Sequence, residues 1–176
     1  MRNFKMVMGL LALGVASTGA QAVTQGTVEF KGKLIADTCQ IDPASVNLVV
    51  TLPTLSVTTL NEAGATGGSK AFDINVIECS ADIKKVGAHF EAIGGSGTDS
   101  QTGNLINDLT STDAAKNVQV RLYNSDETPM ILGTTGNSAP VDAQKATMRY
   151  YGGYYATGKT TAGSVHAKAQ YTLSYN

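Results

Sequence analysis

The chain has no tryptophan, two histidines, two cysteines and four prolines, and charged residues make up only 15% of its 176 positions. Each shortage removes a class of function. The histidines, His89 and His166, have no carboxylate or cysteine at ligand spacing, so neither a metal site nor a general base is indicated, and both are expected on solvated strand faces. No serine stands in a G-x-S-x-G elbow, and the acidic residues are scattered without a catalytic pair. No catalytic residue, metal or cofactor is therefore expected. A formal charge of −1 is too mild to draw nucleic acid or a membrane surface. The apolar stretch from Met6 to Val15, interrupted by Gly9 and Gly14, is too short for a membrane-spanning helix, which needs roughly 20 residues. No later stretch is longer in this sense.

What the first residues do contain is a leader. Arg2 and Lys5 form a positive head, the short apolar stretch follows, and small or polar residues end in Ala20-Gln21-Ala22. This is the pattern of a secretory signal peptide with an A-x-A cleavage site. Cleavage after Ala22 leaves a mature chain of one domain's length and takes the formal charge from −1 to −3 by removing Arg2 and Lys5. Export also sets the redox state of Cys39 and Cys79. An even cysteine count in an exported chain reads as one disulfide, and the spacing is far from C-x-x-C. Closing a loop of that length restricts the unfolded chain by roughly 4 kcal/mol on the entropic account.

One motif invites a sharper reading. Gly153-Tyr154-Tyr155-Ala156-Thr157-Gly158-Lys159-Thr160 matches the nucleotide-binding pattern G-x-x-x-x-G-K-[ST]. That loop needs a buried strand before it and a helix after it, whose N-terminal amides hold phosphate. Here Thr161-Ala162-Gly163 lead into another extended stretch, and export removes the chain from cellular ATP. Nucleotide binding is not expected. Gly94-Gly95-Ser96-Gly97 has no lysine after it and reads as a turn.

The body of the chain alternates with period two. Phe72, Ile74 and Val76 share a parity before Cys79; so do Val86, Ala88, Phe90 and Ala92, and again Val118, Val120 and Leu122. Each such run offers one apolar face of a strand, with Gln119, Arg121 and Tyr123 on the polar side of the third. Asp42-Pro43, the cluster from Gly64 to Ser69, Gly136-Asn137 and Gly152-Gly153 supply turn signals between them. Short strands at near-regular spacing predict an all-β sandwich, with room for a short helical turn near Asp108 to Ala115.

The two ends of the mature chain complement each other. From Gly163 onward, Val165, Ala167, Ala169, Tyr171, Leu173 and Tyr175 share one parity and polar residues the other, which predicts a long strand running almost to Asn176. Val23 to Lys33 is also extended and alternating, yet no tight turn follows it before Cys39 to give it a hairpin partner. Ten residues at about 3.3 Å each reach roughly 33 Å, the length of a small sandwich.

Taken together, these residues resemble the pilins of chaperone–usher fimbriae, in particular the type-1-like major subunits. The resemblance rests on Gly26-Thr27-Val28-Glu29-Phe30-Lys31-Gly32, on Cys39, on Phe72-Asp73-Ile74-Asn75-Val76-Ile77-Glu78-Cys79, on Arg149-Tyr150-Tyr151, on Gly163 and on the penultimate Tyr175. It covers nearly the whole mature chain. The segment Tyr150-Tyr151-Gly152-Gly153-Tyr154-Tyr155 departs from it in being richer in tyrosine and glycine.

The resemblance implies an incomplete immunoglobulin-like β-sandwich that lacks its seventh strand and is completed by a strand donated from a neighbour. It divides the chain into a signal peptide (1–22), an N-terminal donor extension (23–33) and a pilin domain (34–176). Thr24, Gly26, Val28, Phe30 and Gly32 would be the donor positions. Gly163, Val165, Ala167, Ala169, Tyr171, Leu173 and Tyr175 would form the groove wall that first binds a periplasmic chaperone and then the incoming strand at an outer-membrane usher. The implied function is a structural subunit of a fimbrial shaft, exported to the periplasm and then the cell surface. It would contact identical or related subunits, with any host receptor engaged only through the assembled fibre. A minor or adaptor subunit of the same fibre, and a secreted carbohydrate-binding sandwich, are the alternatives.

Overall fold

The structure, a computed structural model, describes residues 26–35 and 38–175. The expected leader, with Val23, Thr24 and Gln25 of the donor extension, lies outside them. The chain divides between Leu34 and Ile35 into two units. In the first, residues 26–34 form no helix or strand and all are exposed, Val28 at 78% and Phe30 at 90%. Their alternation therefore makes no strand among the described residues, and the large apolar side chains of Val28, Phe30 and Leu34 face water.

The described residues of the second unit form eight strands: β1 (Gln40–Ile41), β2 (Thr66–Ile77), β3 (Lys85–Ala92), β4 (Leu105–Ile106), β5 (Val118–Tyr123), β6 (Ala139–Pro140), β7 (Ala146–Ala156) and β8 (Ala169–Tyr175). They form a five-stranded sheet in the order β1-β2-β7-β5-β4 and a three-stranded sheet in the order β6-β3-β8. Every ladder is antiparallel. β2 and β7 form the longest pairing, from Val76 opposite Ala146 to Thr66 opposite Tyr155, with a bulge between Gly67 and Lys70.

The period-two runs become the facing layers. Ile74, Val76, Val86, Ala88, Phe90, Leu122, Met148 and Tyr150 all sit in one buried core between the sheets. Tyr150 is fully buried, with Phe90 edge-on at 5.1 Å and Phe72 at 6.1 Å between ring centroids. Its hydroxyl accepts from the Ala88 N–H at 3.0 Å and donates to the Asn137 carbonyl at 2.9 Å, so the one polar atom of this ring is satisfied. Cys39, just before β1, is bonded to Cys79, just after β2, as the cysteine count predicts.

The strand order has a recognisable gap. β1, β2, β7 and β5 occupy the places A, B, E and D of an immunoglobulin sandwich, and β3 and β8 the places C and F. Place G, beside F, holds no strand among the described residues, and β8 is the edge of its sheet. The fold is an incomplete immunoglobulin-like sandwich.

Local readings are corrected in five places. Gly152-Gly153, read as a turn, lies inside β7, and Thr66 to Ser69 of the glycine cluster belong to β2. The stretch from Asp108 to Ala115 forms no helix, only a turn closed by the Ala114 N–H on the Ser111 carbonyl. The C-terminal strand begins at Ala169 rather than Gly163, because residues 164–168 bond to loops instead of β3. Gln119, assigned to the polar face by parity, is only 5% exposed. The loop at 99–104 folds over it and supplies Asp99, Thr102 and Asn104 as partners.

Candidate assembly groove

A fold missing an edge strand leaves two things unsatisfied: a row of backbone groups on the last strand and the core beneath it. β8 pairs with β3 from Ala92–Ala169 to Val86–Tyr175, and this is its only ladder among the described residues. Beside it lies a groove of about 880 Å³. One wall is Val165, Ala167, Ala169 and Tyr171; the other is the extended segment 46–52; Phe72, Ile74, Val120, Leu122 and Tyr154 form the floor. The side chains at 165, 167, 169, 171 and 173 are half-buried while those at 166, 168, 170 and 172 are exposed. The apolar parity thus faces the groove, but among the described residues nothing covers it fully, which is why these residues are half-buried and not buried.

The expected groove residues do not all do the same thing. Val165, Ala167, Ala169 and Tyr171 line the cavity. Leu173 and Tyr175 pack on the core beyond it. There the strand is bolted across the sandwich: the Tyr175 hydroxyl accepts from the Cys39 N–H at 2.9 Å, and the Tyr171 hydroxyl donates to the Ser45 carbonyl at 2.8 Å. Burial raises the Tyr171 hydroxyl above the usual phenol range. Ser45 sits in a single 3₁₀ turn (Pro43–Ser45) capped by the Asp42 carboxylate on the Ala44 N–H, and its own hydroxyl accepts from the Asn75 N–H at 3.0 Å.

Gly163 has a steric reason. Here the chain bridges Ser164 to Ala114, and a Cβ at position 163 would overlap the Asp113 carbonyl and meet the Ala115 nitrogen at 2.5 Å. Both obstacles are backbone, so no side-chain shift makes room. The following residues are held in turn: the His166 N–H donates to Asn107 Oδ1 at 3.0 Å, and the Lys168 N–H to the Ser96 hydroxyl at 2.7 Å. His166 also meets a carboxylate, which sequence spacing did not show: its Nδ1 donates to Asp108 at 2.5 Å. That bond, more than the Ser96 hydroxyl, holds the Asp108 carboxyl below its ordinary range. His89 lies beside the Thr135 hydroxyl at 3.2 Å, with Glu91 at 3.6 Å. Among the described residues no cluster of His, Cys, Asp or Glu could hold a metal ion.

The second wall was missed from sequence. Val46-Asn47-Leu48-Val49-Val50-Thr51-Leu52 is mostly apolar, yet it forms no ladder, and Val49 is 91% exposed. The alternation of Val46, Leu48, Val50 and Leu52 was the available signal. The nucleotide-loop motif, by contrast, dissolves in the fold. Gly153 lies inside β7 opposite Arg121, and Thr160 Oγ1 donates to the Leu60 carbonyl at 2.9 Å. Among the described residues no helix follows it.

Residues 28–176 match the family described as "Fimbrial protein". The chain belongs to that family. Relatives span major and minor subunits of its members. The F17 fimbrial protein of Escherichia coli is 36% identical, with 99% of each chain covered. The major fimbrial subunit SMF-1 of Stenotrophomonas maltophilia is 37% identical over 93% of this chain and 99% of its own. The minor fimbrial subunit HifD of Haemophilus influenzae is 33% identical over 96% of this chain and 82% of its own. The fold is shared with the P pilus rod subunit PapA, at a TM-score of 0.60 and 17% identity, over 78% of this chain and 99% of that one. A chain of a chaperone–usher pilus aligns at a TM-score of 0.61 and 19% identity, over 92% and 100%. The chain is a structural subunit of a surface fimbria, exported to it and assembled there with other subunits. Among the described residues no helix is long and apolar enough to cross a membrane.

Proposed function

We propose that this subunit builds the fimbrial shaft by donating residues 23–33 of one copy, freed by cleavage after Ala22, to the groove of the next. The observation that carries this reading is the coincidence of an empty edge with a spare strand. The free side of β8 borders an apolar groove, and Val28 and Phe30 alternate on an exposed segment that joins no strand. Strand addition serves both needs: backbone bonds complete the sheet and alternate side chains cover the core. Thr24, Gly26, Val28, Phe30 and Gly32 are the inserted positions. A periplasmic chaperone covers the same groove along Val165 to Tyr175 before an outer-membrane usher exchanges it for the donor strand. The chain performs no catalysis and binds no nucleotide in this role.

The test is the ladder of heat- and SDS-resistant oligomers on gels run without boiling. Deleting Val23 to Lys31 should abolish the ladder while leaving a subunit that co-purifies with its chaperone. An undiminished ladder would end the donor-strand reading. Appending Thr24 to Gly32 after Asn176 through a flexible linker should yield a stable monomer that no longer needs the chaperone.

A further inference from the structure

The outward face of the five-stranded sheet carries a cluster that the groove does not use. Val120, Leu122 and Tyr154 line the groove, so their strand neighbours Arg121, Tyr123 and Tyr155 turn to the opposite side. Tyr151 shares that side, paired with Tyr123 across the ladder. Gly153 faces Arg121 in the ladder, so no side chain stands between Tyr151 and Tyr155 on β7.

Arg121 is held with unusual care for a surface side chain. Its guanidinium carbon lies 3.9 Å from the centroid of the Tyr155 ring. Its Nε donates to Asn104 Oδ1 at 2.9 Å. Asn104 is itself 1% exposed and fixed by a 3.0 Å bond from its Nδ2 to Gln119 Oε1. Gln119 completes the chain by donating to Asp99 Oδ2 at 2.9 Å. Asp99 accepts with its other oxygen from the N–H groups of Gln101 and Thr102, which lower its carboxyl below the ordinary range. The nearby acid is thus engaged within the network. The two terminal nitrogens of Arg121 have no protein acceptor among the described residues.

A guanidinium fork with its orientation fixed from behind matches a carboxylate bidentately, without the ordering cost that a free arginine meets. On the same face Tyr123 stands two residues along β5 and Tyr151 one diagonal step away on β7, and such rings offer apolar faces with polar tips. We propose that this face is a binding site for carboxylated saccharides, uronate- or sialate-bearing, with the carboxylate on the Arg121 terminal nitrogens and the pyranose ring against Tyr151 and Tyr123. Tyr155 and Asn104 position Arg121 and do not touch the ligand. The site lies on the side of the sheet opposite the groove and does not depend on how the groove is filled. It does rest on the chain being a fimbrial subunit, because a fibre repeats the site once per copy and turns a weak contact into avid attachment.

The experiment uses intact fimbriae immobilised on a sensor surface, with hyaluronate, sialyllactose and lactose as probes. Hyaluronate and sialyllactose should bind at least tenfold more tightly than lactose. Arg121→Gln should abolish that preference, and Arg121→Lys, which keeps the charge but loses the fork, should retain a small part of it. Tyr151→Ala should weaken both acidic probes several-fold, while Lys159→Ala, away from the cluster, should leave them unchanged. The unboiled oligomer ladder of each variant reports assembly separately; if Arg121→Gln fails to assemble, Arg121→Lys and Tyr151→Ala carry the comparison. Equal binding of lactose and the acidic probes by wild-type fimbriae would overturn the proposal. So would full binding by Arg121→Gln fibres. Wild-type fimbriae that bind no probe, with Arg121→Gln altering only fibre shape in electron micrographs, would reassign the face to contact between subunits.

Discussion

The Tyr171 hydroxyl donates to the Ser45 carbonyl at 2.8 Å, joining the last strand to a turn 126 positions earlier. Tyr171 also lines the groove, so this bond marks where the open part of the last strand meets its bolted part. Tyr171→Phe should keep the ring and lose the bond, leaving the Ser45 carbonyl without this donor. The expected cost is about 1 kcal/mol. Chemical denaturation of a subunit carrying its own appended donor strand measures it, with the unchanged wild-type form as reference.

Gly163→Ala should be far more damaging than a single methyl suggests. The added Cβ runs into the backbone of Asp113 to Ala115, where no rotamer change relieves it. A loss of at least about 2 kcal/mol follows from overpacking of this kind. Periplasmic yield and thermal midpoint of the self-complemented subunit both report it. A midpoint within a degree of wild type would show that residues 113–115 give way freely.

Leu173→Asp should remove the subunit from the periplasm. Leu173 packs against the main core, and an unpaired carboxylate placed there is costly. Degradation without a chaperone complex is the expected outcome, read by immunoblot and co-purification. Normal recovery with the chaperone would show that this end of the strand does not need its core contact.

Breaking the Cys39–Cys79 bond should cost roughly 4 kcal/mol on the entropic account, given the 40-residue separation. The bond pins β1 to the end of β2, and the Cys39 N–H is also the donor to Tyr175. The double Cys39→Ser, Cys79→Ser variant should therefore loosen the C-terminal strand as well as the first one. Hydrogen exchange at Leu173 to Tyr175 should accelerate together with exchange at Gln40 and Ile41. Protection at Leu173 to Tyr175 equal to wild type would separate the two effects.

Acid should weaken the pair across β2 and β7. Arg149 grips Asp73 with two bonds of 2.8 Å, and this holds the Asp73 carboxyl below its ordinary 3.8. The unfolded chain therefore takes up the proton first as pH falls. The stabilisation is fully present above the unfolded value and is lost as pH drops through the lowered folded value. The pair is largely exposed, so its contribution is small and screened by salt. Asp73→Asn should flatten the stability-versus-pH curve below about pH 4 and leave it parallel to wild type near neutrality. An unchanged acid limb would show that the pair carries no net stabilisation.

The parts of the fold legible in the sequence were those with local causes. Val86, Ala88 and Phe90 are buried on β3 because a strand turns alternate side chains to one side, a rule that needs only neighbours. The apolar parity of Val165 to Leu173 was readable on the same ground. Gln119 was not, because its burial depends on a loop twenty residues earlier folding over it with matching donors and acceptors. His166 and Asp108 are 58 positions apart and meet only because 164–168 leave the sheet and dock on the 107–115 loop. The wall at 46–52 carries the alternation of Val46, Leu48, Val50 and Leu52, but that it borders a groove depends on contacts with strands far along the chain.

By itself the sequence determined the alternating strands of the core, the single cysteine pair and the apolar parity shared by the residues from Val165 to Leu173. All follow from composition and from the two-residue repeat of an extended chain. Only the tertiary structure decided which strands are neighbours, that β8 is left at an edge, and that Tyr171 and Tyr175 close one end of its groove. It alone turned the tyrosine- and glycine-rich stretch into a strand with Tyr150 in the core and Tyr155 beneath Arg121 on the outer face. The reason is that pairing order and burial of polar groups depend on contacts between residues far apart in the chain, which no local pattern encodes.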